Sequence, residues 1–84
     1  MKSKLQEDSI TQLIQELGRE YGRLRKQRGF TQKEVAERSG LSIFTISTFE
    51  SGHSTGITMA AYIKLLRAIG CDGLTLTAGA ENKK

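Results

Sequence analysis

One histidine, His53, and one cysteine, Cys71, are the residues of this 84-residue chain that most often do bond-making chemistry. They stand far apart in sequence, and neither has an obvious partner. No nucleophile lies beside a base, no histidine, cysteine and carboxylate set has metal-ligand spacing, and no glycine-rich phosphate loop occurs. No enzyme, metal or cofactor is therefore expected. The chemistry that the residues do suggest is recognition of a polyanion. Arg19, Arg23, Arg25, Lys26, Arg28, Lys33 and Arg38 face only Glu20, Glu34 and Glu37 in the same stretch, and the whole formal charge of +4 falls there. A clustered positive field of this kind suits DNA, although a charge run by itself can also be a solvated helix face.

Charges must be held by elements. Ile10, Leu13, Ile14, Leu17, Tyr21 and Leu24 recur at helical spacing, which predicts a first helix from about Ser9 to Gln27, ending at Gly29. Gly18 and Gly22 are four apart on one face of it. Either another backbone comes close there, or the helix breaks into an N-terminal arm and a core helix. Thr31 and Glu34 form a capping box for a second helix, with Phe30 and Val35 as its hydrophobic staple, and Gly40 stops it. Ser42 starts a third helix, stapled by Leu41 and Ile46 and closed by Gly52. After a polar loop, His53–Gly56, Thr58 starts a fourth, stapled by Ile57 and Tyr62, with the stripe Tyr62, Leu65, Leu66 and Ile69 ending at Gly70. Leu74-Thr75-Leu76-Thr77-Ala78 alternates as a strand does. Nothing else in the chain reads as its partner, so Leu74, Leu76 and Ala78 are expected to pair with the same strand of a second copy. Residues 81–84 read as a disordered tail.

The second and third helices are joined by Ser39-Gly40-Leu41 alone. So short a turn makes them cross steeply. It needs a small residue at the crossing, which Ala36 supplies, and a left-handed residue in the turn, which Gly40 supplies. Val35, Leu41, Ile46 and Phe49 are the apolar plugs. The second helix of such a unit can lie in the major groove of DNA. A chain this short has a thin core, which dimerisation would help. A single cysteine rules out an intrachain disulfide and fits a reducing compartment. No apolar run of about 20 residues and no signal-peptide pattern is seen, so a cytoplasmic protein is expected.

The stretch Thr31-Gln-Lys-Glu-Val-Ala-Glu-Arg-Ser-Gly-Leu-Ser-Ile-Phe-Thr-Ile-Ser-Thr-Phe-Glu-Ser-Gly52 resembles the phage repressor/Cro, or XRE-type, helix-turn-helix family. The resemblance covers about residues 18–70. It implies an all-α, lambda-repressor-like bundle of four to five helices, preceded by a helical extension over 1–17, followed by a dimerisation strand over 71–79 and a disordered tail over 80–84. Within the family, Thr45-Ile-Ser-Thr-Phe-Glu50, the Thr-initiated fourth helix and the Leu/Thr strand are similar to HipB-type antitoxins. That similarity implies a homodimeric repressor of its own operon, bound by a HipA-like kinase toxin. A stand-alone phage-type repressor and a protein-interaction module without a toxin are the alternatives.

The resemblance also distributes roles. Gln32 is expected on a DNA phosphate at the start of helix two, with Lys33 beside it. Ser42, Ile43, Phe44, Ser47 and Thr48 form the expected base-reading face, while Thr45 supports the fold or bonds a phosphate. Arg23, Lys26, Arg28, His53 and Ser54 are candidates for backbone contacts. Glu50 is expected to bond a neighbouring turn or pair with Arg25 or Arg28. The departure from the family is at 43 and 44, often polar in relatives and here Ile and Phe. They can touch thymine methyls, form a protein-binding patch or be a partly buried pair; they cannot read bidentate hydrogen-bond patterns.

Overall fold

The computed structural model describes residues 2–71, with side chains from Ser9 onward. Four helices are present among the described residues, and no strand: α1 (Lys2–Gln27), α2 (Gln32–Ser39), α3 (Ile43–Glu50) and α4 (Met59–Ala68). They form an all-helical bundle in which α1 packs on α3, and α2 packs on both α3 and α4. The expected strand with Leu74, Leu76 and Ala78, and the tail, lie outside the described residues.

The starts of α2, α3 and α4 are those that the cap residues dictate. Thr31, Ser42 and Thr58 all have extended backbone and accept, through their side-chain oxygens, the N–H of the residue three further on. At α2 the box is complete: Glu34 N donates to Thr31 Oγ1 at 3.0 Å and Thr31 N donates to Glu34 Oε1 at 2.8 Å. Each cap satisfies amides that would otherwise lack an intrahelical partner. The staples close beneath them. Val35 and Ile46 are fully buried, and Phe30, Leu41, Ile57 and Tyr62 pack partly buried against the same core.

That core is Val35, Ile46, Phe49, Leu65 and Ile69, with Tyr21, Leu66 and Ala68 around them. Phe49 sits between Tyr21 (ring centroids 6.1 Å apart) and Tyr62 (6.3 Å, edge-on). The Tyr21 hydroxyl donates to the Leu65 carbonyl at 2.7 Å, which ties α1 to α4. Burial pushes the Tyr21 phenol well above its ordinary value, with the Glu50 charge adding to the rise.

α1 differs from the expected helix in two respects. It starts at Lys2 rather than near Ser9, because residues 2–8 lack an apolar stripe but also lack any helix breaker. It also runs unbroken through Gly18 and Gly22. The close-approach alternative holds: a Cβ at Gly18 would overlap the Phe49 carbonyl oxygen, and one at Gly22 would stand 3.1 Å from Glu50 Oε1. The glycines lose helix propensity but let α1 lie directly on the end of α3. Only part of the α1 stripe enters the core. Tyr21 is buried and Ile14 and Leu24 are partly so, whereas Ile10, Leu13 and Leu17 stay exposed because α1 projects past its neighbours. The stripe leads into a shallow groove lined by Leu17, Tyr21, Leu24, Tyr62 and Leu66.

Candidate nucleic-acid interface

The α2–α3 turn sets the crossing of the two helices. Gly40 has φ 79°, and its N–H donates to Ala36 O at 2.9 Å. A side chain there would meet open space but would be strained by the left-handed backbone. Leu41 N–H donates to Ser39 Oγ at 3.1 Å, so the turn uses its own polar groups. Ser42 then caps α3: Thr45 N–H donates to Ser42 Oγ at 3.0 Å, and the Ser42 hydroxyl donates to Thr45 Oγ1 at 2.9 Å. Ser42 and Thr45 therefore share the work of starting the helix.

α3 buries one edge and presents the other. Ile46 and Phe49 are inward, and at about 100° per residue the direction opposite them is that of Phe44, flanked by Ser47 and Thr48. Exposure agrees. Phe44 is 78% exposed and Ile43 is 47% exposed, Ser47 is exposed and Thr48 half-buried. The partly-buried-pair alternative for Ile43 and Phe44 does not hold. No cation or amide side chain occurs on α3, whose sequence is IFTISTFE.

Glu50, at the end of α3, organises what lies behind this face. Its carboxylate accepts Arg25 Nε at 2.6 Å and Arg25 Nη2 at 2.8 Å, and the two side chains are each only 8% exposed. It also accepts Gln32 Nε2 at 3.0 Å. Arg25 donates onward to the Phe30 carbonyl at 2.6 Å. One ion pair thus links α1, the turn before α2, the first residue of α2 and the last of α3. The bidentate bonds to Glu50 hold the Arg25 guanidinium more firmly protonated than usual, against the desolvation that opposes charge. Gln32 uses one amide hydrogen on Glu50 and has a second to offer.

The other expected contacts are distributed unevenly. Lys33 is exposed beside Gln32. His53 is exposed after α3, its Nδ1 2.7 Å from Ser51 Oγ. Ser54 donates to the Gly56 carbonyl at 2.8 Å, closing the loop on itself. Arg28 points elsewhere: it donates to the Ile69 carbonyl at 3.1 Å, at the C-terminal end of α4. Glu50 pairs with Arg25 and not with Arg28. Arg23 is in an exposed pair with Glu20. Sequence reasoning missed two arginines. Arg38 donates to the Ala68 carbonyl at 2.7 Å while its guanidinium lies 5.1 Å over the Phe30 ring. Arg19 lies against Gly52, where a Cβ would come within 2.6 Å of its guanidinium. A helix C-terminus seeking a cation signals Arg38 in principle; the Arg19 contact depends on how α1 crosses α3 and leaves no local signal.

A capped helix pair crossing at a left-handed glycine, with the second helix free on its outer face, defines a helix-turn-helix protein. The helix-turn-helix family model matches residues 23–76. The uncharacterized HTH-type transcriptional regulator y4dJ of Sinorhizobium fredii is 35% identical over 65 residues, which cover 77% of this chain and 83% of that protein. No solved structure gives a significant match. The chain belongs to the XRE-type helix-turn-helix family, a family of DNA-binding regulators and not of enzymes. No described helix is long and apolar enough to cross a membrane.

Proposed function

We propose that this protein is a sequence-specific regulator that places α3 in the major groove of duplex DNA and represses transcription. The observation that carries the reading is the free outer face of α3, centred on Phe44, on a helix whose inner edge is locked in the core. Gln32, with one amide hydrogen directed at Glu50 and the other available, and Lys33 would grip the phosphate backbone at the start of α2. Ile43, Phe44, Ser47 and Thr48 would meet base edges, while the Ser42 hydroxyl stays engaged with Thr45 at the helix start. Thr45 supports the helix start, and His53 would touch the backbone from the loop. Arg28, engaged at α4, is a poorer candidate than the sequence suggested.

The protein would act as a homodimer on a palindromic operator, with half-sites one helical turn, about 34 Å, apart. The exposed Ile10, Leu13 and Leu17 and the alternating Leu74–Ala78 segment both support association, since an apolar stripe left in water favours a partner. The motif Thr45–Glu50 and that same segment support the role of antitoxin to a HipA-like kinase, autoregulating its operon in the cytoplasm. Gel-shift titration of the full chain against its own promoter region at two salt concentrations tests the DNA reading, and absence of binding at low salt would overturn it. A chain cut at Gly73 that dimerises as well as the parent would overturn the strand pairing. Failure to co-purify with a kinase-like product of an adjacent gene would leave a stand-alone repressor.

A further inference from the structure

We infer that this regulator reads the C5-methyl groups of pyrimidines, through Phe44 with Ile43 beside it. The protein would then discriminate thymine from uracil and 5-methylcytosine from cytosine at fixed positions of its site. The inference rests on the proposed placement of α3 in the major groove.

Bidentate recognition of guanine needs a guanidinium or ammonium, and that of adenine needs an amide. α3 carries none of these. Its hydroxyls do not replace them. Ser42 is committed to Thr45, and the hydroxyls of Thr45, Ser47 and Thr48 can each donate to or accept from several bases, so they choose weakly. What remains at the centre of the outer face is an aromatic ring that is 78% exposed, with a 47% exposed isoleucine next to it. In the major groove, the C5-methyl of thymine is the apolar feature that such groups can match. Cytosine methylated at C5 presents the same group in the same place. The glutamate that might have repelled a base edge or phosphate, Glu50, is turned inward to Arg25 and Gln32. Phe44 is thus the residue placed to determine specificity, and what it determines is methyl-bearing pyrimidine.

The test uses the full chain. A binding site is recovered by selection from a random duplex pool, and each thymine in it is then replaced singly by deoxyuridine. One buried methyl is worth about 0.8 kcal/mol, so one or two thymines per half-site are expected to lose about fourfold in affinity on losing the methyl. Replacing such a T·A pair by 5-methylcytosine·G is expected to bind about fourfold tighter than replacing it by C·G. Phe44→Ala, at an exposed position and checked for helicity by circular dichroism, is expected to bring both ratios to about one. Selective binding that is indifferent to every uracil replacement would overturn the inference and leave the DNA reading intact. So would a Phe44→Ala variant that keeps the ratios. Failure to recover any selective site would instead overturn the proposed function.

Discussion

Removing the Glu50 carboxylate strands three donors at once. Arg25 Nε, Arg25 Nη2 and Gln32 Nε2 lose their acceptor in Glu50→Leu, and the Arg25 side chain is buried. An uncompensated buried charge costs about 3–5 kcal/mol. A domain of this size has a total stability of roughly 4–13 kcal/mol at about 0.05–0.15 kcal/mol per residue. The single variant should therefore lose a large share of its stability, and its Tm should fall by at least about 12 °C at roughly 4 °C per kcal/mol. Arg25→Met strands Glu50 in the same way. The double variant Arg25→Met/Glu50→Leu removes both charges and keeps most of the buried volume. It should be more stable than either single variant, short of the parent mainly by the donor lost from the Phe30 carbonyl, about 1–3 kcal/mol. Circular dichroism melts and urea titrations of the four proteins give the coupling directly. A functional measurement separates the two jobs of Glu50. If it positions Gln32 for a phosphate, the double variant should bind DNA about tenfold more weakly than the parent although it is folded. Additive losses in the two singles, or a Glu50→Leu variant within about 1 kcal/mol of the parent, would refute the reasoning, because the pair would then behave as a surface salt bridge.

Other expectations follow from particular contacts. Gly18→Ala should lose at least about 1–3 kcal/mol by forcing α1 off the Phe49 carbonyl, while Gly22→Ala, which presses on the Glu50 side chain held by Arg25, should lose less because the contact is milder and helix propensity offsets part of it; urea midpoints give the order. Tyr21 is neutral when protonated, and burial raises its folded pKa above the ordinary 10.0. Its contribution is therefore complete below about pH 10 and declines as pH rises beyond it, because the unfolded chain then loses the proton first. Tyr21→Phe should be about 1 kcal/mol less stable at neutral pH through loss of the bond to Leu65, and its stability should fall less steeply in alkali. Arg38→Ala, which frees the Ala68 carbonyl and uncovers the Phe30 ring, should cost about 1–2 kcal/mol by thermal melt. Lys33→Ala should lower the slope of log affinity against log salt by about 0.9 if the ammonium neutralises one phosphate.

Local chemistry alone determined the helix-turn-helix of this protein. A threonine or serine oxygen reaches an amide three residues on, an apolar residue before the cap meets one four positions into the helix, and Gly40 tolerates the left-handed turn. Each acts within a few residues, so each is written in the order of the chain. The same holds for the absence of polar readers at 43 and 44. The tertiary structure decided the matters that depend on how distant segments meet. Two glycines in α1 were compatible with a broken helix or a close crossing, and only the position of Phe49 against Gly18 chose the crossing. Glu50 had two arginines within reach on paper; the crossing of α1 and α3 gave it Arg25, while Arg28 was taken up by the end of α4. The α1 stripe looked uniform, yet its upper part emerges uncovered because its neighbours are short. Long-range packing assigns partners to charges and edges, and those partners are what turn a basic stretch into a buried ion pair and two arginines at a helix end.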